Sequence, residues 1–134
     1  MILIACVDDR GGVQFNGRRQ SRDRLLLEDL IREAQGGVLW MAPYSALQFH
    51  EACPRYQADP DFLDKAGPGE FCFVEGQPVR AYGESVESVI LYRWNRVYPA
   101  DRFWDLPLDG WKLIRRAEFP GSSHKLITKE VYIP

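Results

Sequence analysis

The stretch Ile2–Leu30, ILIACVDDRGGVQFNGRRQSRDRLLLEDL, decides how the rest of the chain is read. Ile2, Leu3, Ile4, Ala5, Cys6 and Val7 make a near-continuous apolar run, the pattern of a strand covered on both faces. Asp8-Asp9 breaks it. Gly11-Gly12 and Asn16-Gly17 then supply residues that adopt positive φ at little cost and mark turns. Ser21 fits an N-cap, after which Leu25, Leu26, Leu27, Leu30, Ile31 and Ala34 recur at helical spacing, with Gly36-Gly37 as the stop. A buried strand feeding a glycine-bearing loop and a helix with carboxylates predicts an α/β architecture with a ligand cleft at the strand's carboxyl end.

Length and composition bound the possibilities. The 134 residues predict one domain, 1–134, and 46% hydrophobic composition supplies a core. A net charge of -2 argues against a dedicated nucleic-acid binder, whose footprint is strongly basic. No apolar run has the length of a membrane span or a signal h-region, so a cytoplasmic location is expected. Cys6, Cys53 and Cys72 are widely spaced, and two sit in strand-like runs, which fits reduced buried thiols. His50 and His124 are the only histidines, and neither H-E-x-x-H nor C-x-x-C occurs, so no metal site is expected. No Walker-type loop and no G-x-S-x-G is present.

Beyond the first helix, Val38-Leu39-Trp40-Met41 reads as a short buried strand. Pro43 opens a second helix carrying Tyr44, Leu47, Phe49 and Ala52. Asp59-Pro60-Asp61 starts a short helix through Ala66, stopped by Gly67-Pro68. Glu70 to Val74 and Val89 to Trp94 are strand candidates. Pro78 and Gly83 shorten or abolish any helix between them. Trp111–Phe119 and His124–Ile133 alternate in hydrophobicity across Pro120-Gly121-Ser122-Ser123, the pattern of an antiparallel hairpin.

The order G-V-x-x-N-G-R from Gly12 to Arg18, followed by E-D-L at Glu28, Asp29 and Leu30, resembles the first loop and helix of dihydrofolate reductases. The segment F-W-D-L-P-L-D-G-W-K-L-I resembles their terminal strands. That resemblance implies a small α/β fold with a mixed, mainly parallel sheet, flanking helices and a C-terminal antiparallel hairpin. It also implies that Gly12, Val13, Asn16 and Gly17 form a loop over a nicotinamide and that Asp29, with Glu28 as its neighbour, is the acid that orients a pterin ring. Three departures bear on the cofactor. The family's Leu-Pro-Trp is replaced by Arg19-Gln20-Ser21. Its phosphate-binding G-R-x-T turn is replaced by Ala42-Pro43-Tyr44-Ser45, where only Ser45 offers a hydroxyl. Its paired glycines after the third strand become Glu75-Gly76, and a carboxylate there repels an anionic phosphate while its Cβ blocks close approach.

The expected cleft is therefore lined by Gly12, Val13, Asn16, Glu28, Asp29, Trp40, Tyr44, Glu75 and Gly76. Arg18, Arg19 and Arg22 form a candidate anion site beside the helix start, or else a solvated basic loop. Glu28 and Asp29 lie about 100° apart around the helix, so only one can face a given cleft, and both read equally as surface charges. The function expected is binding of a small pterin- or nucleotide-like ligand without standard NADPH-dependent reduction. A divergent NADPH-dependent reductase is the alternative. A protein-interaction module or homodimer using the aromatic rim Phe103, Trp104 and Trp111 is the third reading. Whether any turnover occurs is not legible here.

Overall fold

A computed structural model describes residues 1–49 and 55–134. Seven strands form the main sheet: β1 (Ile2–Val7), β4 (Leu39–Met41), β5 (Tyr56–Ala58), β6 (Phe71–Val74), β7 (Ser88–Arg93), β9 (Lys112–Phe119) and β10 (Ile127–Ile133). Their spatial order is β5-β4-β6-β1-β7-β10-β9. The first five are mutually parallel, whereas β10 runs antiparallel to both β7 and β9. The mixed, mainly parallel sheet and the C-terminal hairpin expected from the sequence are both present.

The apolar run of β1 is buried on both faces because it lies between β6 and β7 near the middle of the sheet. Ile4 joins a core with Leu26, Leu30, Phe73 and Ile90, beneath helix α1 (Arg24–Glu33). Leu3, Ala5 and Val7 join the opposite core with Cys72, Val89 and Leu91, covered by the short helix α3 (Phe62–Lys65) and by Val79 and Leu106. The period-two alternation of the strand thus sorts neighbours into two hydrophobic layers.

The loop after β1 is more ordered than a glycine-rich cover. Strands β2 (Gly12–Phe15) and β3 (Arg18–Arg19) pair as a hairpin whose two turn residues are Asn16, φ 51°, and Gly17, φ 69°. Asn-Gly suits the turn in which both central residues have positive φ. Strand β8 (Arg102–Phe103) completes this three-stranded flap.

Several local expectations change. The N-cap of α1 is Asp23, not Ser21: Asp23 Oδ1 accepts from Leu25 N at 3.0 Å and Leu26 N at 3.1 Å. A carboxylate does this better than a hydroxyl because it accepts several N–H groups at once. Helix α2 (Pro43–Ala46) is a single turn, and the expected Ala52 contribution lies outside the described residues, as do His50 and Cys53. The polar stretch before α3 contributes edge strand β5, which the sequence hides because Gln57 and Ala58 are exposed and carry no hydrophobic pattern. In place of the helix lost between Gln77 and Ser88 stands a short 3₁₀ segment, Arg80–Ser85. Of the aromatic rim, Phe103 is exposed, while Trp104 and Trp111 pack partly against the second core. No helix among the described residues is long and apolar enough to cross a membrane.

Candidate functional site

The carboxyl ends of β1, β6 and β7 converge beneath the flap, and Asp8 fastens it there. Its side chain is fully buried, with Oδ1 accepting from Gly12 N at 2.7 Å and Arg10 N at 2.9 Å. Oδ2 accepts from Tyr98 N at 3.1 Å and Gln20 Nε2 at 3.1 Å. Burial alone would raise the Asp8 pKa, but these four donors hold it below the ordinary carboxylate value. Gly12 is required by this packing: a Cβ there would lie 2.7 Å from Ala100 Cβ and 3.0 Å from Asp8 Oδ1.

At the end of β6, Glu75 takes both nitrogens of an arginine fork. Arg19 Nε donates to Glu75 Oε2 at 2.9 Å and its terminal nitrogen donates to Oε1 at 3.1 Å. Gln48 Nε2 adds a third donor to Oε1 at 3.1 Å, and the Tyr44 ring lies 4.3 Å beneath the guanidinium carbon. Burial works against the Arg19 charge, but the bidentate bond to Glu75 raises its pKa. Gly76 sits beside this pair with φ 93°, and a Cβ there would strike the Gln14 amide at 2.6 Å. Arg19, Tyr44, Glu75 and Gly76, separated by up to 57 positions in sequence, are thereby brought together, with Val13 of the flap beside Arg19 and Glu75, while Gly12 is held at Asp8 instead.

Other candidates go elsewhere. Asp29 points at the sheet under α1, where Oδ2 accepts from Tyr92 O–H at 2.6 Å and Lys129 Nζ at 2.8 Å, and Oδ1 faces Arg32 at 3.4 Å. Lys129 also donates to Glu33 at 2.7 Å, and Glu33 in turn accepts from Arg115. Burial would raise the Asp29 pKa, but the Lys129 and Tyr92 hydrogen bonds lower it. Tyr92, buried and donating to Asp29, is pushed well above the ordinary phenol range. Glu28 pairs with Arg24 on the solvent face of the helix. Trp40 turns away from the flap, its indole N–H donating to Glu70 at 3.0 Å within the second core layer. Ser45 is fully buried and its hydroxyl has no partner among the described residues. Arg18 and Arg22 are exposed at the surface; Arg18 lines the same cleft as Arg19, and Arg22 is not part of that lining.

Beside the Arg19–Glu75 pair lies a cleft of about 640 Å³ whose lining includes Phe15, Asn16, Arg18, Arg19, Gln20 and Tyr98. Phe15 is 41% exposed, and the Arg96 guanidinium carbon stands 5.5 Å from the centre of the Tyr98 ring. Behind Tyr98 is a constellation that sequence spacing does not reveal. His124 is buried, stacks on Trp94 with centroids 4.5 Å apart, and places Nδ1 at 3.0 Å from Asp23 Oδ2 and Nε2 at 2.8 Å from Tyr98 Oη. Asp23 also accepts from Ser122 N at 3.0 Å and Ser123 N at 2.8 Å. Burial opposes the Asp23 charge, yet these donors and His124 hold its pKa far below the usual carboxylate range. Gly121 makes the approach possible, since a Cβ there would fall 2.4 Å from Asp23 Oδ2. The one signal available in the sequence was a lone histidine following a glycine-serine turn.

No family profile matches the sequence, and no curated protein matches it. Among solved structures, the chain is similar to dihydrofolate reductase from Enterococcus faecalis complexed with NADP(H) and RAB-propyl. The TM-score is 0.70 and the identity 10%, over 98% of this chain and 94% of that chain. The chain has a dihydrofolate reductase-like fold.

Proposed function

We propose that this chain is a small-ligand-binding domain that takes a flat, anionic pterin- or nucleotide-like molecule in the cleft beside the flap and does not carry out standard NADPH-dependent reduction. The observation that carries this reading is the Arg19–Glu75 pair. In the family that the sequence resembles, paired glycines at this position let a pyrophosphate approach the backbone. Here the position holds a carboxylate already bound by Gln48 and by Arg19, whose guanidinium lies over the Tyr44 ring. A phosphate arriving there would have to displace Glu75 from a fork it already fills, and would meet its negative charge.

The adjacent cleft has the chemistry for a different ligand. Phe15 and Tyr98 offer ring faces, Arg18 offers an exposed guanidinium, and Asn16 and Gln20 offer amide groups. Ring faces beside cations suit a planar heterocycle bearing an anionic group. Because Asp29 is held by Lys129 and Tyr92, recognition of the heterocycle falls to the flap rather than to α1.

A thermal-shift titration with NADPH, NADP, dihydrofolate and free nucleotides tests this. Saturable stabilisation by a pterin or nucleotide, weakened by Arg18→Ala and absent for NADPH, is the expected result. Saturable NADPH binding with oxidation of NADPH by dihydrofolate would establish the reductase reading instead.

A further inference from the structure

We propose that Tyr98, His124 and Asp23 form a proton relay opening into the cleft. In this relay Tyr98 Oη takes a proton from an acidic hydroxyl or lactam N–H of the bound ligand. This rests on the reading of the cleft as the ligand site and adds what is done to the ligand there.

The direction of the relay follows from its donors. Ionised Asp23 only accepts, so His124 Nδ1, at 3.0 Å from it, carries the hydrogen. In neutral imidazole Nε2 is then an acceptor, and the group nearest it is the Tyr98 hydroxyl at 2.8 Å, with Ser21 Oγ farther at 3.2 Å. Ser123 Oγ, 3.1 Å from Nδ1, completes the polar surroundings of the ring. Base, orienting carboxylate and hydroxyl thus stand in line, the arrangement by which an adjacent base activates a weak nucleophile or acid. Both partners of Nε2 are hydroxyls, which can pass a proton on, whereas a backbone N–H or carbonyl could not.

Of the two residues that carry those hydroxyls, Tyr98 is the one that lines the cleft. Ser21 faces a nook with room for little more than one water, about 10 Å³, walled by Gln20, Glu75 and Trp94. The backbone N–H of Tyr98 is pinned to Asp8, and the Arg96 guanidinium lies over its ring, so the residue is held in place from two sides. In the step itself, the ligand X–H proton moves to Tyr98 Oη as the Tyr98 proton moves to Nε2. The ligand becomes an anion beside Arg18, and the imidazolium is balanced by Asp23.

Acetylation by N-acetylimidazole tests the relay without any ligand. Tyr98 Oη attacks the acetyl carbon while its proton passes to Nε2; the bond from acetyl carbon to the reagent's nitrogen breaks, and that nitrogen takes the proton from Nε2 and leaves as imidazole. Peptide mass spectrometry should find Tyr98 acetylated ahead of Tyr44, although Tyr44 is the exposed residue. In folded His124→Gln the Tyr98 rate should fall about tenfold to a hundredfold. Faster reaction at Tyr44, or an unchanged Tyr98 rate in that variant, would overturn the relay. The probe 4-nitrocatechol sulfate, a planar acid with an anionic group, tests the step on a ligand. Binding with a phenolate absorption band that Tyr98→Phe removes is expected. Calorimetric binding without that band would overturn the relay and leave the cleft standing. Absence of dye binding would count against the cleft, and acetylation would then decide the relay alone.

Discussion

Two carboxylates of helix α1 six residues apart, Asp23 at its N-cap and Asp29 in its middle, meet different fates. Asp29 is closed: a lysine, a tyrosine and an arginine satisfy it, and its chain of partners runs on through Glu33 to Arg115 on the outermost strand. Asp23 is open-ended, because beyond its backbone donors it grips an imidazole whose far nitrogen reaches the hydroxyl of Tyr98, a residue that lines the cleft. A carboxylate satisfied by permanent cations fixes a strand to a helix. One satisfied by N–H groups and a histidine fixes a turn and still leaves the far ring nitrogen for a second partner.

That contrast can be broken by mutation. Asp23→Ala should have the largest effect on stability, because it removes the cap of α1 and leaves Ser122 N, Ser123 N and His124 without their acceptor. We expect a loss of about 3 kcal/mol in urea unfolding. Lys129→Met should follow, at about 2 kcal/mol, since it leaves Asp29 and Glu33 facing each other without their shared cation. Exchanging Arg24 for Ala, which opens only the exposed pair with Glu28, should change stability by no more than about 0.5 kcal/mol.

Acid should separate the two sites further. Both carboxylates have depressed folded pKa values. Their contribution to stability is therefore complete above the unfolded-chain midpoint of about 4 and is lost as pH falls through the folded values. Melting temperature between pH 6 and pH 2 should drop steeply in the wild type. The acid limb should flatten more in Asp23→Asn than in Asp29→Asn, because Asp23 carries the larger depression. Equal flattening would mean that the two sites differ less than their partners imply.

The same contrast explains what the sequence could and could not convey. β1, α1, β6, β7 and the terminal hairpin were legible because their hydrophobic periods are local, whereas Asn16-Gly17 marked a turn without revealing the strands β2 and β3 on either side of it. Asp29 was legible as a carboxylate on an apolar helix, but its direction depended on Lys129 and Tyr92, 100 and 63 residues away. Adjacent Glu28 and Asp29 offered no local clue to which would face the sheet. Asp23 was invisible as a functional residue for the same reason: its histidine lies 101 positions downstream. Glu75 is legible in the sequence as a carboxylate set against phosphate, but its bidentate pairing with Arg19, 56 positions upstream, is not.

Glu75 therefore offers the most direct measurement: calorimetric titration of NADPH into the wild type and into Glu75→Gly. If the Arg19–Glu75 pair is what closes the cofactor's route, the wild type gives no saturable heat. The variant, with Arg19 released and the Cβ gone, then gives a saturable isotherm. Tight NADPH binding by the wild type, unchanged or weakened by Glu75→Gly, would contradict the account and return the chain to the reductases whose fold it shares.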